Sequence, residues 1–562
     1  MTTQQTIQAK ISPKMLDKVT RLFDASIDEI LTELFQNARR AGATAIHLNI
    51  NFDEKEPILT IRDDGIGIAD PQDLLSLGES GWNSRTLTRE DPAGMGVFSL
   101  STRGATIRSK KWQVTLKKEH FTGSPVSITE LEEVIVGTAI SFPLTVNEAT
   151  SLKGTLVENK SLLKSALYYP LPVYLNDKKM WQKAFLADAL YVEDWAGVKI
   201  GVFHKGWGIN KHDGQLNFHG LTLESPLPTL TDYQIRVNII DAPALELVLP
   251  ARQSVVLNSF FDQLQQQCLR TTYRYIATLE EHTLSYERWC EAKTLGVNLP
   301  EATPKLETFV PKLADFYRAN DSERPMVDVR QSNVVRTDVF AEEDSLTLEH
   351  CFAQAIAEQP NSDVSTKLRH YTFVRPNPDY NGYSWYETLP SLTSLDFATK
   401  QSDSAMAMAR NTHGDAVVDN LTMVAKITTQ DNQVTSYSCI APIYLDCGED
   451  YYWPRLDEIT IVLNTHHPFT VDTLAALLEQ ALFEPIEEYD ADSYETQQEY
   501  FQENANQRSM DLLLNKDAAI EQGLRHIAEK VMLWKMPENR TALLRVSRSG
   551  VTIRVLPEKT TV

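Results

Sequence analysis

Two polar side chains with complementary chemistry lie four residues apart in a stretch with helical periodicity. Glu33 and Asn37 have the spacing that places a carboxylate and an amide on one face of a helix. A carboxylate can orient and deprotonate water, and an amide oxygen can ligate a hard cation such as Mg²⁺. Taken alone, such a pair is more typical of an ordinary solvated helix face. Its chemistry therefore depends on what lies beside it.

A further carboxylate and two glycine turns follow along the chain. Asp63 comes directly after a predicted strand, Ile58–Arg62, and its carboxylate could accept a hydrogen bond from the exocyclic amine of a base. The turns Asp63–Gly67 and Gly94–Ser99 would let backbone N–H groups approach phosphate, and a helix after the second turn would direct its positive end at that charge. The order and spacing of these pieces predict an ATP site with a hydrolytic base.

The element that must hold Glu33 and Asn37 is marked by its own signals. Ser26 and Glu29 have the spacing of a capping box, and Gly42 stands where a helix should end. Apolar residues recur between them at helical intervals: Ile27, Ile30, Leu31, Leu34 and Ala38. We therefore predict an amphipathic helix that presents its polar face to the glycine turns.

Three segments resemble the conserved boxes of the GHKL ATPase superfamily, which includes gyrase B, the ninety-kilodalton heat-shock chaperones, histidine kinases, MutL and the MORC proteins. They are Glu33–Ala38, Asp63–Gly67 and Gly94–Ser99. A fourth segment, Gly137–Phe142, resembles the Gly-Thr strand that closes the same fold. The resemblance covers about residues 10 to 145 and implies a Bergerat-fold ATPase that uses ATP and Mg²⁺.

The resemblance implies a role for each matching residue. Glu33 is the expected general base, Asn37 the Mg²⁺ ligand and Asp63 the adenine-reading carboxylate, supported by Thr138. The loop from Gly78 to Ala93 stands where the family has its ATP lid. The full set of expected nucleotide-binding residues is Asn37, Ala41, Asp63, Gly65, Gly67, Ile68, Gly78, Ser80, Gly81, Gly94, Met95, Gly96, Val97, Phe98 and Thr138.

Two positions bear on the branch of the superfamily. Histidine kinases typically have Asn where Glu33 stands, so the glutamate favours a hydrolase. Chaperone and MutL members usually have Asp-Ala where this chain has Arg40-Ala41. We interpret Arg40 as a solvated residue at the helix end; contact with phosphate or with a partner subunit is the alternative.

Composition places the chain among acidic multidomain proteins without a membrane segment. Its 562 residues carry a formal net charge of −22, which argues against a broad nucleic-acid surface but leaves room for a local basic one. The five cysteines lack any Cys-x-x-Cys pairing, which favours reduced thiols. No apolar leader and no run of about 18 apolar residues is visible. We therefore expect a soluble cytoplasmic protein.

The predicted fold class is multidomain α/β (α+β). Residues 1–148 form the ATPase sandwich, 149–290 a transducer-like α/β domain, 291–345 an irregular linker, and 346–562 a mixed α+β region of unknown role. The second domain should supply a cation to the γ-phosphate, as in gyrase B, MutL and the chaperones. Arg252 is the candidate, with Lys205 second; a surface arginine entering a helix is the alternative.

The C-terminal region carries weaker signals. We predict a helix over 471–482, another over about 517–534, and a terminal hairpin over 542–546 and 551–555 that turns at Ser549-Gly550. The aromatic stretch Tyr380–Tyr386 could stack on bases or a peptide, but core packing is the commoner role. The acidic stretch 484–503 favours a solvated helix face, with a contact for a basic partner as the alternative.

These patterns favour a clamp-like or chaperone-like ATPase that closes a homodimer on an unidentified protein client. Nucleic acid is a possible partner that the net charge does not favour. The alternative is an ATP-binding scaffold or switch, for instance in bacterial stress or phage defence, that recruits a partner with little hydrolysis. Topoisomerase, nuclease and histidine-kinase modules are not recognisable in the sequence.

Overall fold

The computed structural model describes residues 26–52, 56–76, 82, 96–158, 164–205, 216–223, 225–230, 232–248, 254–315, 324–330, 333–341, 346–357, 368–399, 414–447, 456–467, 469–485, 494–531, 535–536 and 540–557. It divides the chain into two compact units. The first comprises residues 1–282 with 288–300, and the second comprises residues 283–287 with 301–562. Each unit combines helices with several sheets, so the predicted multidomain α+β class is confirmed.

A six-stranded mixed sheet forms the first part of the first unit, in the spatial order β3-β4-β2-β1-β5-β6. Only the β1–β5 pair is parallel. The strands are β1 (Ile46–Ile50), β2 (Ile58–Asp63), β3 (Ala105–Leu116), β4 (Ile128–Pro143), β5 (Val173–Leu175) and β6 (Lys178–Lys179). The predicted strand at 58–62 is therefore confirmed.

Helix α1 (Ile27–Arg40) packs its apolar face into the core of this sheet. The predicted capping box is present, because Ser26 Oγ accepts from the Glu29 N–H at 3.3 Å and Glu29 Oε2 accepts from the Ser26 N–H at 2.8 Å. Ala41 caps the other end, and Gly42 follows with a φ of +73°, the left-handed conformation that favours glycine after a helix. Side chains of the buried face are Ile30, Leu31, Leu34, Phe35 and Ala38.

The segment after the second glycine turn differs from the expectation. A helix with a dipole was predicted there, whereas Gly96–Leu100 is a five-residue 3₁₀ turn that leads into β3. Three residues of this turn, Phe98 to Leu100, are buried, and burial has overridden helix continuation. Such a short turn carries no full macrodipole. The remaining helices here are α2 (Lys118–Phe121), α3 (Val146–Glu158) and α4 (Lys164–Leu167).

A second sheet follows within the same unit, in the order β10-β9-β11-β8-β7. Its strands are β7 (Tyr191–Trp195), β8 (Val198–His204), β9 (Leu216–Phe218), β10 (Leu221–Leu223) and β11 (Tyr233–Ile239), and the helices α5 (Ser259–Ile276) and α6 (Tyr286–Thr294) come after it. The predicted boundary at 148/149 falls before β5 and β6, which extend the first sheet. Both strands fall within 149–290, the range predicted for the second domain, because the parallel pairing of β5 with β1 is not visible locally.

The second unit is also α+β. Its strands are β12 (Lys305–Glu307), β13 (Met326–Asp328), β14 (Val334–Arg336), β15 (Thr372–Val374), β16 (Ser391–Thr399), β17 (Ala416–Val418), β18 (Leu421–Thr428), β19 (Val434–Ile440), β20 (Ile443–Asp446), β21 (Thr460–Asn464), β22 (Arg540–Ser547) and β23 (Gly550–Pro557). Its helices are α7 (Leu346–Ala357), α8 (Ser384–Glu387), α9 (Val471–Leu482), α10 (Tyr494–Leu513) and α11 (Lys516–Val531). They surround two hydrophobic cores.

Several predictions for this unit can be compared with it directly. The helix at 471–482 and the terminal hairpin are confirmed, and α11 closely matches the predicted 517–534. Three short strands, β12, β13 and β14, lie within the range 291–345 for which we expected an irregular linker. Tyr380, Tyr383 and Tyr386 are buried, so core packing is the observed role of that aromatic stretch. Of the helices that the structure describes, none is both long and apolar enough to cross a bilayer.

A half-buried ion pair links the segment after the 3₁₀ turn to the start of α3. Arg103 donates to both carboxylate oxygens of Glu148, at 2.7 and 2.6 Å. Glu148 also accepts from the N–H and the hydroxyl of Thr145, which closes a capping arrangement at the helix start. The bonds from Arg103 lower the pKa of Glu148 to about 2. The ionised carboxylate therefore stabilises the folded state.

We predict that Glu148→Gln lowers the thermal unfolding midpoint at pH 7, because an amide cannot form the charge-assisted pair with Arg103. The folded-state pKa of Glu148 is depressed, so its contribution is present above about pH 4.5 and is lost as pH falls towards about 2. Differential scanning calorimetry across this pH range should show the difference between the unfolding midpoints of variant and wild type becoming smaller as the pH falls. Glu130→Gln, at an exposed position of β4, is the control. A midpoint difference between Glu148→Gln and wild type that did not depend on pH would refute the assignment.

Candidate functional site

The polar face of α1 lies against the second glycine turn. Glu33 and Asn37 are half-buried, and both border Gly96. A Cβ built on Gly96 would lie 2.8 Å from Asn37 Nδ2, so a side chain there would displace the Asn37 amide, and it would lie in van der Waals contact with Glu33 Oε2 at 3.4 Å. The structure therefore brings together three of the residues that the sequence assigned to one site.

The first glycine turn is attached to the C-terminal end of the same helix. The Ile66 N–H donates to the carbonyl of Ala41 at 2.9 Å. A Cβ on Gly65 would lie 2.7 Å from Ala41 Cβ and 2.8 Å from its carbonyl oxygen, so only glycine allows this approach. The contact places Asp63, at the end of β2, beside the helix end that follows Asn37. Both turns thus meet one helix.

The pKa values of two adjacent carboxylates in this turn, Asp63 and Asp64, are shifted in opposite directions. Burial raises the pKa of Asp63, although hydrogen bonds from the backbone at Gly65 and Thr138 partly offset this effect. Asp64 is exposed, and hydrogen bonds from the Thr44 hydroxyl and from the N–H groups of Thr44 and Ala45 lower its pKa. Asp64 thus anchors the loop after α1, and Asp63 is the carboxyl held inside the site.

The Gly-Thr strand lies directly beside Asp63. Thr138 of β4 is buried and pairs with Asp63 in the antiparallel register. Gly137 has a φ of +75°, and a Cβ there would lie 2.0 Å from the carbonyl oxygen of Asp63, which no side chain tolerates. Thr138, the residue expected to support Asp63, therefore lies next to it in the sheet.

Ser109 is a residue that sequence reasoning missed. Its buried hydroxyl donates to the carbonyl of Gly137 at 2.8 Å and accepts from the Ile68 N–H at 2.9 Å. Trp112 adds an indole N–H to the Ile68 carbonyl at 3.3 Å. Together they hold the turn containing Gly67 and Ile68 against β3. No local pattern marks a serine in the middle of a long strand, so this role emerges only from sheet pairing.

Val97 and Phe98 contribute differently from the glycines. Phe98 is buried with its ring edge-on to Phe121 at 5.5 Å between centroids, and Val97 packs against the same core. Their side chains fix the 3₁₀ turn in place, and any contribution to a ligand comes from their backbone. The Ser99 hydroxyl donates to the carbonyl of Gly96 at 2.7 Å and stabilises the turn.

Arg40 is not the solvated helix-end residue that the sequence favoured. It is half-buried, and its Nη1 donates to Asn37 Oδ1 at 3.3 Å. An amide oxygen has two lone pairs, so Asn37 can accept this bond and still ligate a cation. Arg40 therefore orients the predicted metal ligand.

Two further polar side chains, of Tyr169 and Gln36, connect α1 to other parts of the first unit. The Tyr169 hydroxyl donates to the carbonyl of Phe35 at 2.5 Å, and burial raises its pKa. Buried Gln36 donates to the carbonyls of Phe218 and His219, at 3.3 and 2.8 Å, in the turn between β9 and β10. The helix that carries Glu33 and Asn37 is therefore tied to the second sheet of the same unit.

Some predicted residues lie outside the described part of the chain: Gly78, Ser80, Gly81, Gly94, Met95 and Arg252. Lys205 is described at the end of β8, where it is exposed and its N–H donates to the carbonyl of Asp232 at 2.9 Å.

Compared with models of protein families and with curated proteins, the sequence matches none of either. The assignment of the site therefore depends on the residues themselves and on the motif resemblance.

We predict that Asp63→Asn raises the thermal stability of the ligand-free protein at neutral pH, because it removes a charge that burial disfavours. Since the folded-state pKa is raised, ionised Asp63 reduces stability at neutral pH, and this cost disappears below its ordinary pKa near 3.8. Thermal unfolding at pH 7 and near pH 3 measures both. Asp64→Asn is the matched control and should lower stability at pH 7. Destabilisation by both variants would contradict the environment inferred for Asp63.

Proposed function

We propose that this protein is a Mg²⁺-dependent ATP hydrolase of GHKL type. The observation that carries the proposal is the convergence on α1, where Glu33, Asn37 and Gly96 meet beside a turn that presents half-buried Asp63. Each group has the chemistry that its step requires: a carboxylate for water, an amide oxygen for a hard cation, a carboxyl group for the adenine amine, and glycine backbone near phosphate.

The donor set suits a nucleotide with its cation. Asn37 Oδ1 would ligate Mg²⁺ and is oriented by Arg40, while Glu33 shares its helical face and would hold the attacking water. A bound Mg²⁺ neutralises charge on the phosphates during transfer. The close packing around Gly65 and Gly96 leaves backbone rather than side chain at both turns, where backbone N–H groups would be free to approach phosphate, and this supports the same assignment.

We further propose that ATP closes the segment from Gly78 to Ala93 and a homodimer, and that this closure drives a clamp-like or chaperone-like cycle acting on a protein client. This extension rests on the motif resemblance. The alternative, a scaffold that binds ATP with little hydrolysis, is not favoured, because Glu33 is present and borders Gly96 together with Asn37.

We predict that Glu33→Ala retains ATP binding but loses hydrolysis by about 10²- to 10⁴-fold, the usual contribution of a general base. Asp63→Asn should instead lose ATP binding. The amide replaces one carboxylate oxygen by an NH₂ donor, whereas the Asp63 carboxylate would use one oxygen for the backbone and the other for the adenine amine. Phosphate release with Mg²⁺ and with EDTA, beside nucleotide titration by calorimetry, separates the two effects. Turnover should require Mg²⁺.

Glu29→Ala serves as a control on the same helix, since Glu29 acts in the cap rather than at the site. If Glu33→Ala turned over ATP at the wild-type rate, Glu33 would not be the base. If neither wild type nor variant bound ATP, the proposed function itself would be wrong.

The second predicted cation can be tested in the same assay. We expect Arg252→Ala to lower turnover by about 10- to 1000-fold with little change in ATP affinity, as for loss of one group that stabilises developing charge. Lys205→Ala is the matched comparison, because Lys205 is exposed at the end of β8. The reverse result would transfer the role to Lys205, and unchanged turnover in both would exclude them.

A further inference from the structure

The C-terminal hairpin is amphipathic and basic within an acidic chain. Residues 540–557 contain four arginines and no acidic residue, whereas the whole chain has a net charge of −22. Strands β22 and β23 pair antiparallel over their whole length, from Arg540 with Pro557 to Ser547 with Gly550. Positive charge is therefore concentrated on one two-stranded ribbon.

Strand alternation separates the side chains of the hairpin onto two faces. The apolar face comprises Ala542, Leu544, Val546, Val551, Ile553 and Val555, which pair across the strands as 542 with 555, 544 with 553 and 546 with 551. The basic face comprises Thr541, Leu543, Arg545, Thr552, Arg554 and Leu556. Arg540, at the open end of the hairpin, falls on the first face, so the charged and hydrogen-bonding side chains of the second face are Arg545, Arg554, Thr541, Thr552 and Ser547.

The arginines of the hairpin are available for a ligand. Arg540, Arg545, Arg548 and Arg554 are exposed, and within the described residues none of them forms an ion pair. Arg545 and Arg554 occupy diagonal positions on the basic face, at which side chains lie about 7–8 Å apart. Two uncompensated like charges so close together repel each other, and a polyanion would remove that repulsion.

We propose that the hairpin β22–β23 binds double-stranded DNA through its basic face. A two-stranded ribbon fits the major groove of B-form DNA, which is about 12 Å wide, and the deep, narrow major groove of A-form RNA excludes it. Arginine is suited to phosphates and to guanine edges. An anionic membrane would take up the apolar face instead of the basic one, so a preference of the full-length chain for anionic vesicles over the duplex would overturn the proposal.

The test is equilibrium binding of the full-length chain to a fluorescent duplex of about 30 base pairs, by anisotropy, between about 50 and 200 mM salt and without nucleotide. For the wild type, the logarithm of the association constant should fall linearly with the logarithm of the salt concentration. Arg545→Gln with Arg554→Gln should weaken binding and reduce the slope by about 2, since each lost phosphate contact contributes about 0.9.

Two matched variants make the result specific. Arg330→Gln with Arg525→Gln removes the same charge from exposed positions outside the hairpin and should leave the slope unchanged. Leu544→Thr with Ile553→Thr alters the apolar face and should also leave the slope unchanged. The proposal is overturned if wild type fails to bind the duplex at about 50 mM salt, or if either control lowers the slope as much as the Arg545 and Arg554 pair.

Discussion

Burial of one face of α1 is the constraint on which the candidate site depends. Ile30, Leu31, Leu34 and Phe35 are almost fully removed from solvent, and each such side chain contributes about 1.5–3 kcal/mol. Because a helix is rigid, fixing this face against the sheet also fixes the rotation of the opposite face. Glu33 and Asn37, on that opposite face, are thereby held beside Gly96.

The candidate site also depends on close packing of the backbone at three glycines. Gly65 lies against Ala41, Gly96 against Asn37, and Gly137 against the Asp63 carbonyl, each at a distance that a Cβ would violate. Gly65 and Gly96 thereby bring two turns against one helix, and Gly137 brings β4 against the end of β2. A larger residue at any of these three glycines would therefore shift the backbone or a side chain of the candidate site, because no free space is available for its Cβ.

Buried polar groups extend this arrangement beyond the first sheet. Gln36 lies on α1 between Glu33 and Asn37 in sequence, and it bonds to two carbonyls of the β9–β10 turn. Asn217 braces that turn by accepting from the Gly220 N–H at 3.0 Å and donating to Asn238 Oδ1 at 2.7 Å. Breaking such bonds leaves buried groups unsatisfied, which costs about 1–3 kcal/mol each. The two sheets of the first unit are therefore connected through the helix that carries the candidate base.

Local signals were enough to predict α1, its capping box, β2, α9 and the terminal hairpin, because caps, periodicity and turn residues act over a few neighbouring positions. They also identified Glu33, Asn37, Asp63 and the glycines as one chemical set. The pairing of β5 with β1, the role of Ser109, the bond from Arg40 to Asn37 and the attachment of Gln36 were not predictable in this way. These features join residues across long separations or depend on a side-chain rotamer, so they are decided only when the sheets and helices pack together.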